Sequence, residues 1–116
     1  MVEDDALNVE LFREMLEGEG HDIVVERDGP AGRARALGET FDLILLDIHL
    51  PGTHGDALCA ELRATGLKTP IVALSASAMA HEMERIRAAG FDAYLTKPIR
   101  ASELREAVLR FGRATA

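Results

Sequence analysis

The chain has 116 residues, a length that suits one domain with a single core, and its 47% hydrophobic and 28% charged residues are ordinary soluble globular usage. No apolar run approaches the ~20 residues of a membrane span and no signal-peptide pattern is visible, so a cytoplasmic, membrane-free protein is expected; the one cysteine, Cys59, excludes an internal disulfide and fits a reducing compartment. The net charge of −7 argues against direct binding of nucleic acid, which needs a basic face, and favours basic partners or a bound cation.

In chain order, Met1-Val2 is a scrap of strand that leads into the acids Glu3, Asp4 and Asp5. Leu11, Phe12, Met15 and Leu16 repeat with helical spacing until Gly18 and Gly20. Ile23 to Val25 is a short second strand, and Asp28-Gly29-Pro30 is a turn that can open a helix over Ala31 to Leu37. Leu43 to Leu46 is an uninterrupted apolar run followed at once by Asp47 and turn residues, a third strand buried on both faces. Leu58 and Leu62 mark a third helix ended by Gly66, and Pro70 introduces the apolar strand Ile71 to Leu74. Met79, Met83 and Ile86 face one way on a fourth helix that Gly90 terminates. Ala93 to Leu95 is the last strand, and Leu104, Ala107, Val108 and Phe111 pattern the final helix. Five alternations with apolar central strands predict an α/β fold, a doubly wound five-stranded parallel sheet covered on both faces.

In a parallel sheet the carboxyl ends of the strands share one edge, so Glu3, Asp4, Asp47, Ser75 and Lys97 can converge on one crevice. Singly each has a plain structural use: acids solvate a strand end, Ser75 caps a helix and Lys97 sits on the surface. Together they do not, because two carboxylates about 4 Å apart repel by roughly 4 kcal/mol at an effective dielectric of about 20. Such a cluster raises a carboxylate pKa or recruits a cation, and hard oxygen ligands with open positions suit Mg²⁺.

The acidic pair Glu3-Asp4, Asp47 with Pro51 and Gly55 beyond it, Ser75-Ala76 and Tyr94-Leu95-Thr96-Lys97-Pro98 together resemble the receiver domains of two-component response regulators. The resemblance spans essentially the whole chain, and the start with Glu3, Asp4 and Asn8 is most similar to stand-alone cell-division receivers and receivers of hybrid histidine kinases. It implies a flavodoxin-like strand order 2-1-3-4-5 and a single receiver domain over residues 1–116 with no output domain. It also implies that Asp47 accepts a phosphoryl group from a histidine kinase or histidine phosphotransferase. Asp4, Asp47 and the His49 backbone carbonyl would ligate Mg²⁺, with Glu3 holding its water shell. Lys97, Ser75 and the Ala76 amide would meet the phosphoryl oxygens, and the Lys97–Pro98 bond would be cis. His49 and Ser77 would modulate phosphate lifetime, while Ser75 and Tyr94 would form the switch. The output would be a protein target docked on the face of the fourth helix, fifth strand and fifth helix. Such a chain is a switch that assists its own phosphoryl transfer and slow hydrolysis, not an enzyme acting on other molecules.

Some features depart from that pattern. His54 stands where the family often has an acid, and Gly52-Thr53 soften the loop. A zinc site from His49, His54 and Cys59 is disfavoured, because their even spacing matches no usual Cys/His pattern and reads as scattered surface. Tyr94 could be simple core packing with a rim hydroxyl, and the Met79–Met83 stripe reads mostly as core. An aspartate-nucleophile phosphatase of the haloacid-dehalogenase type would carry Asp-x-Asp, where this chain has Asp47-Ile48-His49. A degenerate receiver that only binds is disfavoured by the full residue set. Only Met1-Val2 precede the acidic pair, so the first strand is expected to be short, filled by upstream residues or by another molecule.

Overall fold

Two runs of branched apolar residues set the centre of the molecule, and the computed structural model describes residues 10, 12–14, 17–18, 28–50, 53–75, 79–97 and 99–111. Strands β1 (Ile44–Asp47), β4 (Ile71–Ser75) and β5 (Ala93–Thr96) form a parallel sheet in the order β1-β4-β5. They are the expected third, fourth and fifth strands in the expected adjacency. The expected first and second strands, Met1-Val2 and Ile23 to Val25, lie outside the described residues. The register sets Ile44 opposite Ile71 and Val72 opposite Ala93.

Every residue of β1 and β4 is buried, as uninterrupted apolar runs require. The two-residue side-chain period splits them between two cores. Ile44, Leu46, Ile71 and Ala73 pack with Leu58, Leu62 and Ile86 from helices α2 (Gly55–Ala64) and α3 (Ala80–Ala89). Leu45, Val72 and Leu74 pack on the opposite face with Phe12 and with Leu104 and Val108 of helix α4 (Ala101–Phe111). Helices therefore cover both faces of the sheet.

Local chemistry fixes the helix ends. Asp28 caps α1 (Gly29–Gly38) by accepting a 2.8 Å hydrogen bond from the Ala31 N–H, and Pro30 fills the first turn, where its missing donor costs nothing. Gly90 ends α3 with φ 103°, a left-handed conformation that glycine adopts without penalty. Two departures from the sequence reading belong here. Met79 is not on the inner face of a helix; it precedes α3 as its N-cap and is 62% exposed, while Met83 packs against the core. A short antiparallel pair, β2 (His49–Leu50) with β3 (Thr53–His54), sits between β1 and α2.

Arg63 ties the far end of the sheet together. Its guanidinium donates to the carbonyls of Gly90, Leu67 and Thr69 at 2.8–3.0 Å and to Asp92 Oδ2 at 2.7 Å. Asp92 Oδ2 also accepts the Ile71 N–H at 2.8 Å, which positions the start of β4. Only a planar fork with five donors can serve so many acceptors at once. Arg63→Met keeps the aliphatic stem and is expected to lower stability by about 1–3 kcal/mol. Urea midpoints measure the loss, and Arg63→Lys should recover little of it.

Candidate functional site

The strand ends deliver three of the expected side chains to one place. Asp47 closes β1 and Ser75 closes β4, both buried, at 2% and 0% exposure. The Lys97 N–H donates to the Ser75 carbonyl at 2.6 Å, which carries the chain just past β5 to the same edge. Lys97 Nζ then reaches Asp47 Oδ2 at 2.8 Å, and the His49 N–H donates to Oδ1 at 2.9 Å. A buried carboxylate is thus oriented through both oxygens, one by an ammonium and one by a backbone dipole. The Lys97 side chain is partly exposed, so the pair opens on one side to solvent.

Gly55 supports this arrangement from beneath. Its N–H donates to the Ile48 carbonyl at 2.9 Å, and a Cβ there would come within 2.5 Å of Ile48 Cα and 2.9 Å of the Asp47 carbonyl carbon. Only glycine lets the start of α2 lie so close under the backbone that carries Asp47.

The other expected site residues divide into two groups. Glu3, Asp4, Ala76, Ser77 and Pro98 lie outside the described residues, as does Pro51. His49 stands in β2 with its side chain 57% exposed and its Nε2 3.6 Å from Glu82 Oε1. Tyr94 is exposed on β5 and lines a cavity of about 160 Å³ with Glu103, Glu106 and Arg110 of α4. His54 pairs with His49 across β2 and β3, whereas Cys59 is fully buried, and burial pushes its thiol up to about 11. The cysteine is therefore core and not surface, and it does not join the two histidines. Sequence reasoning missed Glu82, a buried acid in the first turn of α3. Its position one turn before the buried Ile86 was the available signal, since residues four apart share a helix face.

Among the described residues, no group of three or more His, Cys, Asp or Glu could hold a metal by itself. Asp47 supplies the kind of hard carboxylate oxygen that magnesium takes; the other expected acids, Glu3 and Asp4, lie outside the described residues.

Residues 1–109 match the family described as response regulator receiver domain, and the chain belongs to that family. It is 43% identical over 116 residues to the sensor histidine kinase AruS of Pseudomonas aeruginosa, covering 97% of this chain and 12% of that protein. It is 38% identical over 101 residues to the polar-differentiation response regulator DivK of Brucella anthropi, covering 85% of this chain and 82% of DivK. The chain thus spans about an eighth of the sensor kinase and most of the stand-alone regulator. Its structure is similar to the receiver domain of the sensor histidine kinase PA1611 from Pseudomonas aeruginosa, solved with a magnesium ion coordinated in the active-site cleft. The TM-score is 0.87 at 33% identity, over 96% of this chain and 93% of that one. The fold is accordingly the flavodoxin-like, doubly wound receiver fold, and the chain is a phosphoacceptor module of two-component signalling, a class that receives phosphoryl groups from histidine kinases. No helix among the described residues is long and apolar enough to cross a membrane.

Proposed function

We propose that Asp47 is the phosphoacceptor of this receiver. The observation that carries the reading is the buried Asp47 carboxylate held 2.8 Å from Lys97 Nζ, with Ser75 at the neighbouring strand end. A carboxylate oxygen of Asp47 attacks the phosphorus of a partner's phosphohistidine. The new P–O bond forms as the P–N bond breaks, and the electron pair leaves on the imidazole. Such a transfer asks the protein mainly for positioning and charge neutralisation. Lys97 neutralises charge beside the acceptor, Ser75 is the hydroxyl assigned to the phosphoryl group, and the His49 N–H fixes the carboxylate's direction. Asp47, Asp4 and the His49 carbonyl would hold Mg²⁺, with Glu3 on its water shell, and the ion would supply the further positive charge the transfer needs.

The chain assists its own phosphorylation and its slow hydrolysis, and works in the cytoplasm as the receiver of a two-component system or phosphorelay, the receiver of a hybrid histidine kinase included. Its kinase or phosphotransferase donor is a protein, and so is its target. The target docks on the face made by α3, β5 and α4, where Ser75 and the exposed Tyr94 report the phosphorylation state. Incubation with a small phosphodonor should add one phosphoryl group per chain in Mg²⁺ and almost none with a chelator. Asp47→Asn should abolish uptake, read by intact mass. Equal uptake by Asp47→Asn would end this reading.

A further inference from the structure

The short antiparallel pair that follows β1 carries two exposed histidines, His49 and His54, set directly opposite each other. We propose that their two imidazoles form a binding site for a divalent transition ion of the Ni²⁺, Cu²⁺ and Zn²⁺ class, with water completing the coordination. The site is separate in chemistry from the carboxylate crevice at Asp47.

The backbone brings the pair together. Next to it in the ladder, the Gly55 N–H donates to the Ile48 carbonyl at 2.9 Å. Opposed residues in an antiparallel pair alternate between hydrogen-bonded and non-hydrogen-bonded positions, so His49 and His54 occupy a non-hydrogen-bonded one. The His49 N–H accordingly leaves the ladder and donates to Asp47 Oδ1. Side chains at opposed positions share one face, with Cβ atoms about 4.5–5.5 Å apart and closest at non-hydrogen-bonded positions. Imidazoles rooted that close can meet at a single ion, each at a metal–nitrogen distance of about 2.0–2.1 Å.

The ligand chemistry selects the ion. Imidazole nitrogen suits copper, nickel and zinc, whereas magnesium takes oxygen. Both rings reach solvent, the His49 side chain at 57% exposure, so they can turn to an incoming ion and leave room for its waters. Glu82, the one buried carboxylate besides Asp47 among the described residues, places Oε1 3.6 Å from His49 Nε2. That distance exceeds hydrogen-bond length, so the ring is not tied down, while the carboxylate's charge adds attraction for a cation here. The other Glu82 oxygen faces Arg85 Nη1 at 3.7 Å, and Arg85 Nη2 donates to Asp56 Oδ2 at 3.0 Å, so the guanidinium is shared between two acids. No group of three His, Cys, Asp or Glu is gathered for a metal among the described residues, so two imidazoles are the protein's whole contribution.

The test is calorimetric titration with Ni²⁺ in excess Mg²⁺, which competes for oxygen ligands. Wild type should take one ion per chain, and Cu²⁺ should bind more tightly than Ni²⁺. His49→Gln and His54→Gln should each weaken Ni²⁺ binding by at least about tenfold, since one imidazole replaces two. Both positions are exposed, so thermal midpoints without metal should stay close to wild type. His81→Gln, at the exposed start of α3, and Asp47→Asn should bind as wild type does. Cu²⁺, which is paramagnetic, should broaden the ring proton signals of His49 and His54 before those of His81. No binding by wild type, or wild-type affinity in either His49→Gln or His54→Gln, would overturn the proposal. So would binding that disappears in Asp47→Asn or that Mg²⁺ displaces, because the ion would then sit among the carboxylates. None of these readouts involves phosphoryl uptake, so the outcome is independent of the role proposed for Asp47.

Discussion

Gly55→Ala is expected to destabilise the fold by about 3 kcal/mol or more, at the upper end of what one added methyl does. The new Cβ would sit 2.5 Å from Ile48 Cα and 2.9 Å from the Asp47 carbonyl carbon, against backbone that no side-chain rotation can clear. Either α2 moves off the sheet or the end of β1 shifts. A shift of β1 would disturb the 2.8 Å Asp47–Lys97 contact and the 2.9 Å hydrogen bond from the His49 N–H together. Denaturant midpoints should therefore fall, and phosphoryl uptake by the fraction that remains folded should fall as well. Gly38→Ala is the control, because nothing lies within 4 Å of a Cβ at that position.

Lys97→Met should have the largest effect on rate after the loss of Asp47 itself. Methionine keeps most of the aliphatic length but removes the ammonium 2.8 Å from a carboxylate that is 2% exposed. Charge developing on the transferring phosphoryl group would then lose a preorganised partner, so uptake from a small donor should slow by about 100-fold or more. The folded state should also lose about 1–3 kcal/mol, because a buried charge is left with less compensation. Uptake rates and urea midpoints separate the two effects. A variant that phosphorylates at the wild-type rate would remove Lys97 from the site.

The parts of the fold legible in the sequence were those with a strong local pattern. Ile44 to Leu46 and Ile71 to Leu74 read as buried parallel strands because nothing polar interrupts them, and both are buried throughout. Gly90 and Asp28 marked helix ends through backbone chemistry that needs no tertiary context. Elements with little local pattern were not legible. The two-residue strands around His49 and His54 are too short to show alternation. Met79 belongs to the helical period by spacing, yet α3 begins one residue later and leaves it exposed. Cys59 looked like one of several scattered polar positions, but it lies beside Leu58 and three residues before Leu62, on the buried side of α2.

The site divides in the same way. Asp47, Ser75 and Lys97 could be found because a parallel sheet gathers its strand ends, and the register brings all three to one edge. Arg63 and Asp92 owe their roles to partners distant in sequence, which no local pattern announces. The crowding of Gly55 under Asp47 likewise appears only once α2 is packed against β1.

The most direct test of the central claim is chemical. Borohydride reduces an aspartyl phosphate to homoserine and leaves a free carboxylate unchanged. The chain should be phosphorylated with a small donor in Mg²⁺, quenched, reduced, and mapped by peptide mass spectrometry. Homoserine at position 47 alone, absent when the donor or the metal is withheld, is the result this account predicts. Homoserine at another acid with Asp47 intact, or none anywhere after measured phosphoryl uptake, would contradict it.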